Sequence, residues 1–216
     1  MAKSYVPRTS GQMARRVVED IHDGAYVNLG IGRPMLVANH LPPDKEIILH
    51  SENGVLGMGE IAVGDDADPD YVNAGKQSIL LRKGAALFHH ADSFSMIRGG
   101  HIDICILGAF QVSERGDLAN WRTLDEAAIP AVGGAMDLAK GAKQVFIMME
   151  HLTKDGQSKL VKSCSYPLTA MGVVKRVYTD LATLEIGDNG FRLVDKVAGL
   201  SHNELESISG LTIQET

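Results

Sequence analysis

Cysteine is scarce in this 216-residue chain, where only Cys105 and Cys164 occur. Two thiols form neither a disulfide framework nor a thiolate metal cluster. Cys105 lies inside the apolar run HIDICILGAF and reads as a small buried hydrophobe, whereas Cys164 sits in a more polar stretch. No run reaches the roughly 18 apolar residues that cross a bilayer, and the opening MAKSYVPRTS lacks the apolar core of a signal sequence. A cytoplasmic chain with no membrane association is expected. Basic residues never gather in a block, and 21 Lys and Arg against 27 Asp and Glu leave a net charge of -6. Generic nucleic-acid binding is thereby disfavoured, because its affinity comes largely from Lys and Arg neutralising phosphates; a local positive pocket is not. The eight histidines match no metal motif such as HExxH, so no metal is expected.

What remains is an ordinary globular composition, 44% apolar and 22% charged. The length suits a single domain over residues 1–216, able to bury roughly 70% of its unfolded surface without a disulfide or metal. From Gly11, Ala14, Val17, Val18 and Ile21 carry the spacing of an amphipathic helix that ends at Gly24. YVNLG follows as a strand, and Pro34 is placed to open a helix through Val37, Ala38 and Leu41. EIILH (46–50) is the next strand. SENGVLGMGE, with Asn53-Gly54 and three glycines, predicts a turn rather than another sheet run. DDADPD (65–70) reads as a solvated loop, QSILL as a short strand, and KGAALFHHADSFSMIRGG as short apolar pieces among turn signals. HIDICILGAF and QVFIMME are apolar on both faces, as in central strands covered on two sides. GDLANW reads as a loop and GGAMDLAKGAKQ as a short helix between those two strands. Later, RVYTD and LATLEI are strands, DNG turns into FRLVD as a hairpin, and Ser201 with Glu204 caps a helix closed by Gly210. The fold class expected is α/β, an open mixed sheet flanked by helices, with an antiparallel portion toward the C-terminus.

Several residues could carry chemistry. Glu52 follows a strand beside an Asn-Gly turn, at the kind of sheet edge where α/β folds bind ligands; from the bare residues a solvated turn carboxylate is the default reading. Gly30-Ile31-Gly32 and Gly57-Met58-Gly59 lack the third glycine of a dinucleotide fingerprint, so each reads as a tight turn. Gly133-Gly134 precede a helix whose free N–H groups could hold an oxyanion or phosphate, although the bare residues read first as a plain strand-to-helix turn. Asn120-Trp121 and Arg98 are either pocket or surface residues. From residue chemistry alone, the chain is an α/β domain with a possible anionic ligand.

The ordered series NLGIG (28–32), SENGVLGMG (51–59), HHADSF (89–94), MIRGGHIDICILGAFQV (96–112), GDLANW (116–121) and AVGGAMDLAKGAKQV (131–145) goes further. It resembles the β-type subunit of the family I CoA-transferases, over roughly residues 11–200. AYVNLGIG, FHHADSF and IPAVGGAMDLAKGAKQVFIMM are most similar to the branch acting on 3-oxoadipate, with the acetoacetate branch a near relative. The resemblance implies an open-sheet CoA-transferase fold and a homologous α subunit as partner, in a heterodimer or α2β2 assembly. It implies no cofactor beyond CoA and succinyl-CoA, which are substrates. It places the family nucleophile at Glu52, an oxyanion N–H at Gly133 or Gly134, and substrate contacts at Asn53, Gly30 and Gly32. A glutamate-dependent acyl-CoA hydrolase, a transferase for acetoacetate or acetate, and a non-catalytic acyl-CoA-binding subunit are the competing readings. The intact SENG segment argues against the last.

Two positions depart from the family pattern. Glu60 stands where proline is expected and adds a second carboxylate, which would repel Glu52 if the two met in space. Arg33 stands where relatives carry a small or aliphatic residue. It would suit the distal carboxylate of a dicarboxylic acyl group, or else point to solvent from a helix start.

Overall fold

The computed structural model describes residues 4–125, 127 and 129–215. Helix α1 (Ser10–Glu19) starts at a capping box, in which the Thr9 hydroxyl accepts from the Gln12 amide and the Gln12 side chain accepts from the Thr9 N–H. Its stripe of Met13, Ala14, Val17 and Val18 is buried, as the spacing requires. Strand β1 (Tyr26–Leu29) leads into a 3-10 helix, Arg33–His40, with Pro34 in its first turn. Strands β2 (Ile48–Ser51), β3 (Val55–Ile61) and β4 (Ile79–Leu87) follow, then helix α2 (His90–Arg98). Beyond it come β5 (Ile104–Leu107), β6 (Gln111–Ser113), β7 (Leu118–Ala119), α3 (Ala135–Gly141) and β8 (Gln144–Met148). The chain continues through β9 (Leu160–Val161), β10 (Val174–Tyr178), β11 (Ala182–Gly187), β12 (Gly190–Lys196) and α4 (His202–Ser209).

Among the described residues, nine strands form one sheet in the order β12-β11-β10-β8-β5-β1-β2-β3-β4, and β7-β6-β9 form a small second sheet. The stretch β10-β8-β5-β1-β2 is parallel throughout, and both edges are antiparallel. A parallel centre must be covered on both faces, and β5 shows how. Ile104 and Ile106 join the core that holds Met13 and Val17 of α1, while Cys105 and Leu107 join the core that holds Ile97 of α2 and Leu138 of α3. The two-residue turn 188–189 closes the β11–β12 hairpin, and α4 keeps the Ser201–Glu204 capping box and a left-handed Gly210, all as the sequence predicts.

Residues 55–61 and 83–98 depart from the sequence expectation, while the 65–70 loop and the QSILL strand between them stand. The turn after Glu52 ends at Gly54, and the glycine-rich VLGMGEI is strand β3. Its glycines serve close packing: a Cβ at Gly57 would stand 3.0 Å from the Ala85 Cα, and one at Gly59 would stand 3.0 Å from the Leu80 carbonyl oxygen. Register shifts flank Met58 in the β3–β4 pairing, so glycine here marks an irregular strand. An antiparallel portion therefore exists at both edges of the sheet. Helix α2 escapes the sequence pattern because it buries only Ser93 and Ile97, too sparse a stripe to read. Leu118–Ala119, inside the expected GDLANW loop, pairs as the short strand β7.

Candidate active site

Parallel strands β1, β2, β5 and β8 end side by side, and their C-terminal ends deliver Gly30, Glu52, Gly108 and Glu150 to one cavity of about 390 Å³. This is where open α/β sheets place ligands. Glu52 leaves β2 in a turn fixed by Gly54, whose N–H donates to the Ser51 carbonyl at 3.0 Å and whose carbonyl accepts from the Phe88 N–H at 3.0 Å. Gly54 has φ 112°, and a Cβ there would sit 2.1 Å from the Phe88 carbonyl oxygen. Both features demand glycine. Gly54→Ala is expected to destabilise the fold by about 2–4 kcal/mol. Urea unfolding would read this as a lower midpoint at unchanged m-value, and an unshifted midpoint would contradict it.

The half-buried Glu52 carboxylate is held from below. Asn28, fully buried on β1, donates its Nδ2 amide to Glu52 Oε2 at 3.1 Å, with His50 Nδ1 at 3.1 Å and the His50 carbonyl at 3.3 Å around the same nitrogen. Burial pushes the His50 pKa down to about 4, so the imidazole is neutral. With Nδ1 facing an amide donor, the network assigns the proton to Nε2, which donates to Ser93 Oγ at 2.7 Å. Ser93, on α2, can then donate to the Ser51 carbonyl at 3.5 Å. A line of uncharged groups, Ser93–His50–Asn28, thus orients Glu52 without a cation that would quench its nucleophilicity.

Of the residues singled out in the sequence, Glu52, Gly30, Arg33, Gly133 and Gly134 line the cavity together, as does Asn120. Gly32 and Asn53 are not among the lining residues. Asn53 Nδ2 instead donates to the Val72 carbonyl at 2.7 Å and ties the loop down. Among the described residues neither the Gly133 nor the Gly134 N–H has a hydrogen-bond acceptor. Arg33 forms an ion pair with Glu150 rather than pointing free into solvent. Glu60 does not meet Glu52: Met58 pairs with Leu49, which puts Glu60 level with Ile47, about 15 Å along the strand from Glu52. The repulsion anticipated between them has no structural basis. Arg98 makes a bidentate pair with Asp137 at 2.8 and 3.1 Å, joining α2 to α3, and Trp121 Nε1 donates to the Leu168 carbonyl at 3.2 Å. Neither lines the cavity.

Sequence reasoning missed Asn28, His50, Glu150 and Lys159. For Asn28 a signal existed, a lone amide in an apolar strand, since buried polar groups are there to hydrogen-bond.

The sequence matches the coenzyme A transferase family model over residues 11–198. The chain belongs to the coenzyme A transferase family. Among its relatives, the β-type subunit of 3-oxoadipate CoA-transferase from Pseudomonas putida is 60% identical over 202 residues, covering 94% of each chain. The corresponding subunit of succinyl-CoA:3-ketoacid coenzyme A transferase from Helicobacter pylori is 48% identical over 192 residues, 89% of this chain and 92% of that one. In shape, the acyl-CoA transferase YdiF apoenzyme from Escherichia coli O157:H7 matches with a TM-score of 0.74 at 18% identity, covering 100% of this chain and 43% of that one. That is a likeness of fold, and this chain spans less than half of the larger protein. In this coenzyme A transferase Cys105 does not compete as a nucleophile. Burial, then the Glu52 charge, holds its thiol well above the usual cysteine range.

Proposed function

We propose that this chain is the β subunit of a two-subunit enzyme that moves CoA from succinyl-CoA to a 3-oxo acid, 3-oxoadipate, through a thioester on Glu52. The observation that carries the reading is the Glu52 carboxylate held at 3.1 Å by the Asn28 amide, inside a cavity shared with Gly133 and Gly134. The hydrogen bond engages Oε2 and leaves Oε1 to attack the thioester carbonyl of succinyl-CoA. The C–S bond breaks, CoA departs as thiolate, and a succinyl–glutamyl anhydride remains. The thiolate then attacks the glutamyl carbonyl, succinate leaves, and Glu52 carries CoA. A 3-oxo acid carboxylate reverses both steps, so the acid departs as its CoA ester and the Glu52 carboxylate is regenerated.

Negative charge gathers on a carbonyl oxygen at each addition, and donors aimed at that position are worth far more there than in the ground state. The unengaged amides of Gly133 and Gly134 are the donors this chain offers. A second donor and much of the CoA contact fall to a homologous α subunit, in a heterodimer or α2β2 assembly. Exposed apolar side chains lining the cavity, Ile31, Phe110 and Val132, support that assignment, because apolar surface gathered around a polar site marks an interaction face. 3-Oxoadipate is favoured over acetoacetate by 60% against 48% identity to the respective relatives and by the cations described below.

Initial rates of the complex co-purified with its α partner test the reading. Double-reciprocal plots against succinyl-CoA at several 3-oxoadipate concentrations should give parallel lines, since the first product leaves before the acceptor binds. Intersecting lines would contradict the covalent scheme, and steady CoA release without acceptor would make the enzyme a hydrolase.

A further inference from the structure

Two cations line the Glu52 cavity, Arg33 and Lys159, and one carboxylate, Glu150, sits with them. Glu150 is committed to Arg33 through an ion pair, and that hydrogen bond, more than the neighbouring lysines, holds its carboxyl below the usual range. Lys159 is half-buried, and among the described residues no carboxylate lies within ion-pair distance of its Nζ. Burial lowers its pKa, Glu150 opposes the shift, and Arg33 adds to it. The cluster therefore carries one uncompensated positive charge that is already partly stripped of water. Such a charge gains more from an incoming anion than a solvated surface lysine would.

Its place in the fold says which anion fits. Glu150 follows β8 and Glu52 follows β2, which stand three strand spacings apart in the order β8-β5-β1-β2, about 14 Å between backbones. Glu52, Arg33, Glu150 and Lys159 line this one cavity, so a separation of that order leaves room for a short acyl chain with a second carboxylate at its far end. Gly30, Leu107, Gly108 and Met149 form the wall along the way, with no charged group to compete for such a chain.

Resting on the reading of Glu52 as the acyl acceptor, we propose that Lys159, assisted by Arg33, is a specificity-determining cation that binds the distal carboxylate of a dicarboxylic acyl group or 3-oxo acid. Glu150 holds Arg33 in place and limits the site to one extra negative charge.

The same positive charge could take a phosphate of CoA, and the test separates the two sources. Wild type, Lys159→Met and Lys159→Arg are each co-purified with the α partner and loaded to the Glu52–CoA thioester, with loading checked by intact mass. Each is then discharged with 3-oxoadipate or with acetoacetate, which lacks the distal carboxylate. In Lys159→Met the ratio of kcat/KM for 3-oxoadipate over acetoacetate should fall about 10- to 100-fold, as for loss of one charged hydrogen-bond partner. Lys159→Arg should recover most of that ratio, which a purely structural lysine would not require. An unchanged ratio, with both acceptors losing rate equally or KM for succinyl-CoA and acetoacetyl-CoA rising together, would overturn the proposal and give Lys159 to the CoA phosphates. Failure of the wild type to load would instead remove the transferase reading, and the subsite with it.

Discussion

Glu52→Gln, assembled with its α partner, is expected to lose about four to six orders of magnitude in kcat, the scale on which removal of a covalent nucleophile acts. The substitution is nearly isosteric, and the amide oxygen can still accept from Asn28 Nδ2, which now donates to Glu52 Oε2 at 3.1 Å. Glu52 is only half-buried, so stability should stay within about 0.5 kcal/mol of wild type. An amide oxygen is too weak a nucleophile to open a thioester, and no other group in the cavity replaces it. Cys105 is fully buried, with a thiol held protonated, and Glu150 is occupied by Arg33. A variant that folds, assembles and retains activity within about tenfold of wild type would leave Glu52 a bystander. Loss of activity with loss of folding would be uninformative for catalysis, so the stability measurement belongs beside the rate.

Mild acid should unfold the chain through two buried histidines. His50 sits between Asn28 and Ser93, and His151 between Thr179 Oγ1 at 3.1 Å and Ser209 Oγ at 2.8 Å. Burial pushes both pKa values down from 6.5 to about 4. Between those limits the unfolded chain binds protons that the folded chain refuses, so stability rises with pH. The contribution is complete above pH 6.5 and drains away as pH falls toward 4. Each histidine accounts for about 3 kcal/mol over that window, and two of them approach the whole stability of a typical domain. Burial raises the carboxyls of Asp20 and Asp195, but hydrogen bonds from the Tyr178 hydroxyl, Arg176 and Arg16 to Asp20, and from Arg16 and Arg8 to Asp195, outweigh it and keep both below their ordinary value of 3.8. Their contribution is lost only at still lower pH, which separates it from the histidine effect. Urea unfolding followed at pH 7, 5.5 and 4.5 should show the midpoint dropping steeply, and His151→Asn should flatten the slope. A level profile from pH 6.5 to 4.5 would contradict the burial argument.

The elements legible from the chain alone are those whose own residues settle them. Helix α1 repeats at helical spacing behind a Thr9–Gln12 cap, β5 and β8 are continuous apolar runs, and the turn at Asp188-Asn189 ties its two strands locally. Strand β3 is illegible in the sequence because its glycines are explained only by the approach of Ala85 and Leu80 from β4, which lie some twenty to thirty residues downstream. The site follows the same division. Glu52, Gly30, Arg33 and the Gly133-Gly134 pair can be picked out from motifs, and the cavity brings them together. The Asn28–Glu52 hydrogen bond and the neighbourhood of Arg33, Glu150 and Lys159 depend on four strands lying in the lateral order β8-β5-β1-β2. Parallel strands are joined through long crossovers, so short-range patterns carry no record of which strand becomes whose neighbour.

The most direct measurement of the central claim is the intact mass of this chain after its complex with the α partner meets succinyl-CoA without acceptor and is quenched in acid. The account predicts a CoA adduct on this chain, located at Glu52 by peptide mapping, absent from Glu52→Gln, and discharged when 3-oxoadipate is added. An assembled, folded complex that carries no adduct, or carries one elsewhere than Glu52, would contradict it.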